Sequence, residues 1–283
     1  MRTHITRWLA VFDSHGNMIN RKVFDALREF EAEFKPDIRI AGGDHFDLRW
    51  LRGKASEQEQ REDIQADLDA GREFLCWLKP THVCWGNHDD RVFKAMKSDV
   101  GPMRDLARRV FEEYMEASVP GAVCKPYDKR NGVIRIGNLA FVHGYGSGIN
   151  TVRQHAMTYG NVVMGHIHRA ETVSIDRLEP VVGRSSGCLC ELDLEYNRGS
   201  MGTLRQSNGW VYGVMDEHGR HVVWHAQKLG DRFILPSEMI HSADSSTSPS
   251  PGGRSAKQGS VCKILRPGPE SGARRRPSKS RRS

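Results

Sequence analysis

Apolar positions along the chain change period several times, and each change predicts an element. Residues 5–12 (Ile5-Thr6-Arg7-Trp8-Leu9-Ala10-Val11-Phe12) become continuously apolar toward their end, as a strand buried on both faces does. Val23, Leu27, Phe30 and Phe34 then recur at helical spacing between charges, which predicts a helix over 20–34 closed by Pro36. Ile38-Arg39-Ile40-Ala41 reads as a second strand, and strand, helix, strand with short connections implies a right-handed parallel crossover. Ile64, Leu68, Gly71, Phe74, Leu75 and Leu78 form a sparse stripe. It predicts a long helix from about Ser56, where Ser56-Glu57-Gln58-Glu59 resembles a capping box, to Pro80. Thr81 to Trp85 follow as a third strand, and Val92, Met96, Met103, Leu106, Val110, Phe111 and Met115 mark a helical region over about 91–117. Rich in both signs of charge, that region reads as an inserted cap rather than part of the sheet.

From Val133 the character changes. Apolar runs at 133–136 and 139–142 flank Gly137-Asn138, a hairpin signal. A short helix over 149–159 and strands over 161–164, 171–176, 181–192, 210–215 and 221–228 complete an α/β pattern with room for two sheets. Beyond about Pro236 the periodicity is lost, and Ser242 to Gly253 is rich in Ser, Pro and Gly. The expected organisation is one domain over 1–236, with helical insertions at about 50–80 and 91–120. A linker and basic tail over 237–283 are expected to be disordered.

Composition adds limits. No stretch approaches the roughly 20 apolar residues of a membrane span, and the N-terminus lacks the apolar core of a secretory signal, so a cytoplasmic protein without a membrane partner is expected. The six cysteines need not pair in a chain of this length. Cys188-Leu189-Cys190 fits a strand with two small side chains on one face better than a zinc site, whose C-x-x-C spacing is absent. Net charge is +7, but residues 251–283 hold ten Lys or Arg against Glu270 alone. That tail carries +9, which leaves the first 250 residues at −2. Basicity therefore belongs to the tail, a candidate for nucleic-acid contact or for simple solubilisation.

The chemistry sits where the predicted strands end. Asp13, His15, Asp44, Asn87, His88, His143, His166 and His168 come from five separate segments. A pair of metal ions about 3.5–4 Å apart needs ligands distributed in this way, with one carboxylate shared. Open α/β sheets bind ligands at the carboxyl ends of their strands. Mixed His and Asp/Asn donors suit manganese, iron or zinc better than calcium or magnesium.

These segments are Asp13-Ser14-His15, Gly43-Asp44-His45-Phe46-Asp47, Gly86-Asn87-His88-Asp89, His143, and Gly165-His166-Ile167-His168. In order and in strand context they resemble the D-x-H, G-D-x-x-D, G-N-H-[DE], H and G-H-x-H blocks of the calcineurin-like metallophosphoesterases. The likeness covers roughly residues 5–170 and is nearest to the stand-alone bacterial or phage type. It implies a four-layer αββα sandwich, with two mixed β-sheets flanked by helices. It also implies that Asp13, His15 and His168 hold one divalent ion, that Asn87, His143 and His166 hold another, and that Asp44 bridges them. Manganese is the first expectation, with iron, zinc or nickel as alternatives.

By the same resemblance His88 faces the substrate phosphate as the catalytic acid or charge stabiliser, and Asp47 orients it. A metal-bridged hydroxide would attack a phosphodiester, with a nucleic acid or nucleotide as the expected substrate. The alternatives are a phosphomonoesterase acting on a small molecule or phosphoprotein, and a weakly catalytic nucleic-acid-binding protein acting through its basic tail. Protein phosphatases of the family carry Arg-Gly after the second Asp of the second block. Leu48-Arg49 stands here instead, which argues against that class. His45, His82 and His155 match no ligand position, although His45 lies between Asp44 and Asp47. Arg49, Arg52, Arg91 and Arg153 are candidate phosphate contacts, Arg91 foremost.

Overall fold

In the computed structural model, which describes residues 4–52, 63–192 and 204–241, the first strand, β1 (Ile5–Val11), lies inside a six-stranded sheet. β2 (Ile38–Ala41), β3 (His82–Cys84) and β4 (Val123–Lys125) run parallel to it on one side. On the other side, β10 (Val211–Asp216) and β11 (His221–His225) are antiparallel. A second sheet has the order β5 (Ile134–Ile136), β6 (Leu139–Val142), β7 (Val162–Met164), β9 (Val181–Ser185) and β8 (Glu171–Ile175). Within it β6, β7 and β9 are parallel, with antiparallel edges. β12 (Lys228–Leu229) and β13 (Arg232–Phe233) form a separate hairpin.

Side-chain alternation along β1 shows why the two sheets stack. Trp8 and Ala10, with Phe12 just beyond the strand, join Ile40, Phe141 and Val163 in a core between the sheets. Leu9 and Val11 point the other way, into a core shared with Leu27 and Phe30 of α1 (Arg21–Phe34) and Leu75 of α2 (Ile64–Leu78). Behind the second sheet, Val142, Val162 and Met164 pack against Val152 and Ala156 of α5 (Thr151–Tyr159). The layers are therefore helix, sheet, sheet, helix, and the expected α/β architecture of two mixed sheets flanked by helices is what forms.

Several expectations are corrected. Residues 91–117 do not cap the site. They become α3 (Asp90–Ala95) and α4 (Gly101–Val110), with further helical turns to Ser118. Val92, Ala107, Val110 and Met115 enter the core beside α2, so this region is the crossover from β3 to β4, a strand that periodicity over only three residues did not reveal. The described part of the long helix starts at Ile64, where Asp63 accepts from the Gln65 and Ala66 amides; the expected cap at Ser56–Glu59 lies outside the described residues. The strand expected over 181–192 ends at Ser185. The chain continues past 236 as α6 (Pro236–His241), with Glu238 paired to Arg232 at 2.6 Å and the Ser237 amide donating to Glu33. The remaining linker and tail lie outside the described residues. Among the described residues, no helix is long and apolar enough to cross a membrane.

Phe141 meets the Trp8 ring edge-on at 5.2 Å in the middle of the inter-sheet core. Phe141→Ala should lower the unfolding free energy by about 3–5 kcal/mol in urea denaturation. Ile5→Ala, at a position 56% exposed, should change it by less than about 0.5 kcal/mol.

Candidate metal centre

The five blocks follow β1, β2, β3, β6 and β7, all members of the parallel runs, so their first loop residues meet at the same end of both sheets. The backbone there is bent in an unusual way. Asp13, His15, Asp44, His166 and His168 all have positive φ, between 52° and 70°, a region that residues with a side chain seldom occupy. Of the other non-glycine residues with positive φ, Lys35 and Lys79 cap helix ends, and Leu48 precedes a short helical turn. Left-handed turns aim the side chain back over the strand end, and conformational strain of this kind collects at functional sites.

The turned side chains form two adjoining groups. In the first, His15 Nε2 lies 3.1 Å from His168 Nε2, and Asp13 Oδ1 lies 3.5 Å from His168 Nε2 and 4.0 Å from His15 Nε2. In the second, His143 Nε2 lies 3.0 Å from Asn87 Oδ1 and 3.2 Å from Asp44 Oδ2, with the His166 ring 5.2 Å from the His143 ring. Asp44 belongs to both sides: donor atoms of His15, Asp44 and His88 fall within 4.8 Å of one another, and so do those of Asp44, His143 and His166. Every residue expected to hold metal is thus in one place. Asp13 supplies the test of fit. Its Oδ2 accepts from the His166 amide at 2.8 Å, whereas Oδ1 is fully buried without a hydrogen-bond partner and faces two imidazole nitrogens. An unpaired carboxylate oxygen among nitrogen donors suits a cation.

The rings are held from behind. Asp47 Oδ1 lies 2.7 Å from His15 Nδ1 and 2.9 Å from His88 Nδ1, so this carboxylate orients a candidate ligand as well as His88. His143 Nδ1 sits 3.0 Å from the Gly42 carbonyl. Asp89 accepts from the amides of Asp44, Gly86 and Phe46.

Residues outside the blocks complete this frame. Asp67 on α2 accepts from the Asp47 and Leu48 amides at 2.9 and 2.7 Å. Its signal was present as a charge on the buried face shared with Gly71, Phe74 and Leu78. Arg49 is buried and pairs through Nε with Asp47 Oδ2 at 2.8 Å, and Arg91 donates to the Asp47 and Leu48 carbonyls at 2.7 and 3.2 Å. Both clamp the second block, whereas the sequence pointed to phosphate contacts. His45 is buried between Ser14 and the Gly43 amide and stacks on Phe74; burial, the largest influence, pushes its pKa down to about 3 and keeps it neutral.

Charge coupling is strong. Burial alone would raise the Asp13 carboxyl, but His168 and His143 outweigh it and hold its pKa at about 2. Burial is likewise overcome at Asp44 by His143 and His88, and at Asp47 by His15 and His88, so both stay well below the usual carboxylate range. The same attraction overcomes burial at His143, held up to about 9 chiefly by Asp44, and lifts His88 through Asp44 and Asp47. His166, affected first by burial and then by His143, drops to about 4.

No family model matches the chain, and no curated protein does. Among solved structures, it is similar to a conserved uncharacterized protein described as a predicted phosphoesterase, from Streptococcus pneumoniae. Identity is 14%, covering 82% of this chain and 97% of that one, with a TM-score of 0.35. A metallophosphoesterase from Sphaerobacter thermophilus matches at 13% identity over 79% of this chain and 89% of that one, with a TM-score of 0.40. Vacuolar Protein Sorting 29 from Cryptosporidium parvum matches at 12% identity over 78% and 97%, with a TM-score of 0.35. Likenesses this distant leave the chemistry to be read from the residues themselves.

Two outcomes follow from this geometry. A Cβ on Gly86 would lie 2.1 Å from Asp44 Oδ1 and 2.5 Å from the Asp44 amide nitrogen. Gly86→Ala should therefore displace Asp44 and weaken metal uptake by about tenfold or more, measured by elemental analysis after gel filtration, with circular dichroism reporting the fold. Because the His143 proton is held to about pH 9 in the metal-free protein, a cation binding at that ring must displace it at neutral pH. Apparent metal affinity should accordingly fall as pH is lowered from 9 to 7, by about tenfold per unit for one displaced proton, in competition with a chromophoric chelator.

Proposed function

We propose that this chain is a metal-dependent phosphoester hydrolase. Asp13, His15 and His168 would hold one divalent cation and Asn87, His143 and His166 a second, with Asp44 between them. The observation that carries it is the convergence of Asp13 Oδ1, His15 Nε2 and His168 Nε2 on one side of Asp44, and of Asn87 Oδ1 and His143 Nε2 on the other. Two bound divalent ions would make water a strong nucleophile near neutral pH and neutralise phosphate oxygens.

The chain's own residues supply the rest. Asn87, His88 and His166 are half-buried while Asp13, His15, Asp44, His143 and His168 are buried, so substrate would enter over the first three. Asp47 holds His88 by Nδ1, which leaves Nε2 on the Asp44 side, 3.9 Å from Oδ2. Against the effect of burial, Asp44 and Asp47 raise the His88 pKa and so favour the protonated ring, which would give its proton to the departing oxygen or stabilise the charge developing there.

A nucleotide or nucleic-acid diester is the substrate class best supported. Beside the centre, the Tyr127 ring meets His143 at 5.7 Å and Tyr145 at 4.9 Å. Tyr145 opens onto a cavity of about 520 Å³ lined also by Lys129, Arg130 and Tyr159. Aromatic rings interleaved with cations suit stacked bases and a phosphate backbone. Manganese is the first choice of metal, because the donors mix imidazole with oxygen.

Manganese-loaded protein should be offered bis(p-nitrophenyl) phosphate, p-nitrophenyl phosphate, 2′,3′-cyclic nucleotides, single-stranded DNA and duplex DNA. Diester hydrolysis is expected; turnover of the monoester alone would make it a phosphomonoesterase, and inactivity on every substrate with metal bound would refute the enzyme. His88→Ala should lower kcat by about 10²–10⁴-fold with metal content retained, whereas Asp44→Ala should lose both. Tyr145→Ala should raise KM for a dinucleotide about tenfold, and Tyr145→Phe should leave it near wild type.

A further inference from the structure

β9 is one more parallel strand of the second sheet, and the chain leaving its carboxyl end also arrives at the metal centre. The segment Ser186–Glu191 lies outside both sheets and bends at Leu189, with isolated bridges from Cys190 to Ile19 and from Cys188 to Asn208. Backbone bonds fix it on both sides. The Leu189 amide donates to the Asp13 carbonyl, the Asn20 amide to the Leu189 carbonyl and the Glu191 amide to the Met18 carbonyl, while the Cys188 amide reaches Ser207. Leu189 points into the core shared with α1 and α2, and Cys188 and Cys190, one residue to either side, point together the opposite way. Both thiols are fully buried. Asn208 Nδ2 donates to the Cys188 sulfur at 3.8 Å and to the Cys190 carbonyl at 2.7 Å. The Cys190 sulfur lies 3.8 Å from His168 Nδ1 and within 4.8 Å of a His15 nitrogen, and Cys188 also borders His168.

That contact completes a pattern. His15 and His143 each present Nε2 to the candidate metal positions and have Nδ1 fixed by a hydrogen-bond partner, the Asp47 carboxylate and the Gly42 carbonyl respectively. His168 presents Nε2 to Asp13 and His15 in the same way. Its Nδ1 has a sulfur. One ring cannot offer both nitrogens to a single ion, so a cation among Asp13, His15 and His168 leaves the Nδ1 hydrogen directed at Cys190. Partners behind a ligating imidazole set its tautomer, orientation and basicity.

Resting on the proposed metal centre, we propose that Cys190 is a positioning residue: its sulfur accepts the Nδ1 hydrogen of His168 and fixes Nε2 toward the ion shared with Asp13 and His15. Cys188, tied to Asn208, backs the same wall. The thiol is a softer and more polarisable acceptor than the carboxylate and carbonyl behind the other two rings, so the two metal positions are inequivalent.

The test compares wild type, Cys190→Ala and Cys190→Ser in two measurements. These are metal affinity of each equivalent by chelator competition, and the visible absorption spectrum of the cobalt-loaded protein. Cys190→Ala should weaken one equivalent by about 10–100-fold, leave the other within about threefold, and shift the cobalt bands. Cys190→Ser, which keeps an acceptor, should lose less. Should Cys190→Ala fail to fold, Cys190→Ser alone must still show a shifted cobalt spectrum. Unchanged affinity and spectrum would reduce Cys190 to a small apolar filler and overturn the proposal. A sulfur-to-cobalt charge-transfer band in wild type that disappears in the variants would make Cys190 a direct ligand and overturn it as well. If wild type itself binds no metal, the metal centre fails first and this proposal with it; if wild type binds two ions and the variants match it, only the role of Cys190 fails.

Discussion

A carboxylate stripped of water survives only beside compensating charge or hydrogen bonds, and Asp13, Asp44 and Asp47 are all fully buried within one cluster. The rest of the site is arranged around that requirement. Imidazoles supply the compensation: His168 and His143 for Asp13, His143 and His88 for Asp44, His15 and His88 for Asp47. At Asp47, His15 and His88 each satisfy the carboxylate with Nδ1 and leave Nε2 for chemistry. There the contacts that make a buried acid tolerable also aim the ring nitrogens. Asp13 Oδ1 is left without a hydrogen-bond partner, and it faces the point where His15 and His168 meet.

Holding such a cluster together takes backbone that would not be adopted for its own sake. Positive φ at Asp13, His15, Asp44, His166 and His168 persists because sheets on one side and pinned loops on the other leave no alternative. Asp67, Asp89 and Arg91 do much of that pinning by binding the amides and carbonyls of the second block, and Arg49 by pairing with the Asp47 carboxylate. Block glycines serve the same end. A Cβ on Gly165 would lie 2.5 Å from Phe12 and 2.6 Å from Asp13 Oδ2, so the close approach of β7 to β1 depends on its absence. Rigidity below and half-exposed Asn87, His88 and His166 above give the site a fixed floor and an open mouth.

The division of labour in Gly86-Asn87-His88-Asp89 follows from this geometry. Gly86 lets Asp44 approach, Asn87 faces His143, His88 stands between Asp44 and Asp47, and Asp89 ties the loop from below. Four consecutive residues thus meet four different needs. Asp47 gains a wider task than orienting His88, because the same oxygen also holds His15 and the other oxygen anchors Arg49.

Strand and helix periods, block order and the polar residues ending each strand are local properties, and the sequence by itself determined them. It determined the two-sheet α/β fold and the eight polar positions, because a buried parallel strand must be apolar and whatever ends it must turn. It could not show which polar groups stand behind those positions. Asp67 reads as one charge on a helix, Arg49 and Arg91 as candidate phosphate contacts, and Cys188-Leu189-Cys190 as a strand, since what packs against Asp67, Arg91 and Cys190 lies far off in the chain. Those contacts span 18 to 44 positions between Asp67, Arg91 or Cys190 and their partners. Only the tertiary structure, by bringing the parallel strand ends to one place, decided that these residues face the site, and a hydrogen bond between distant segments exists only once both have been placed.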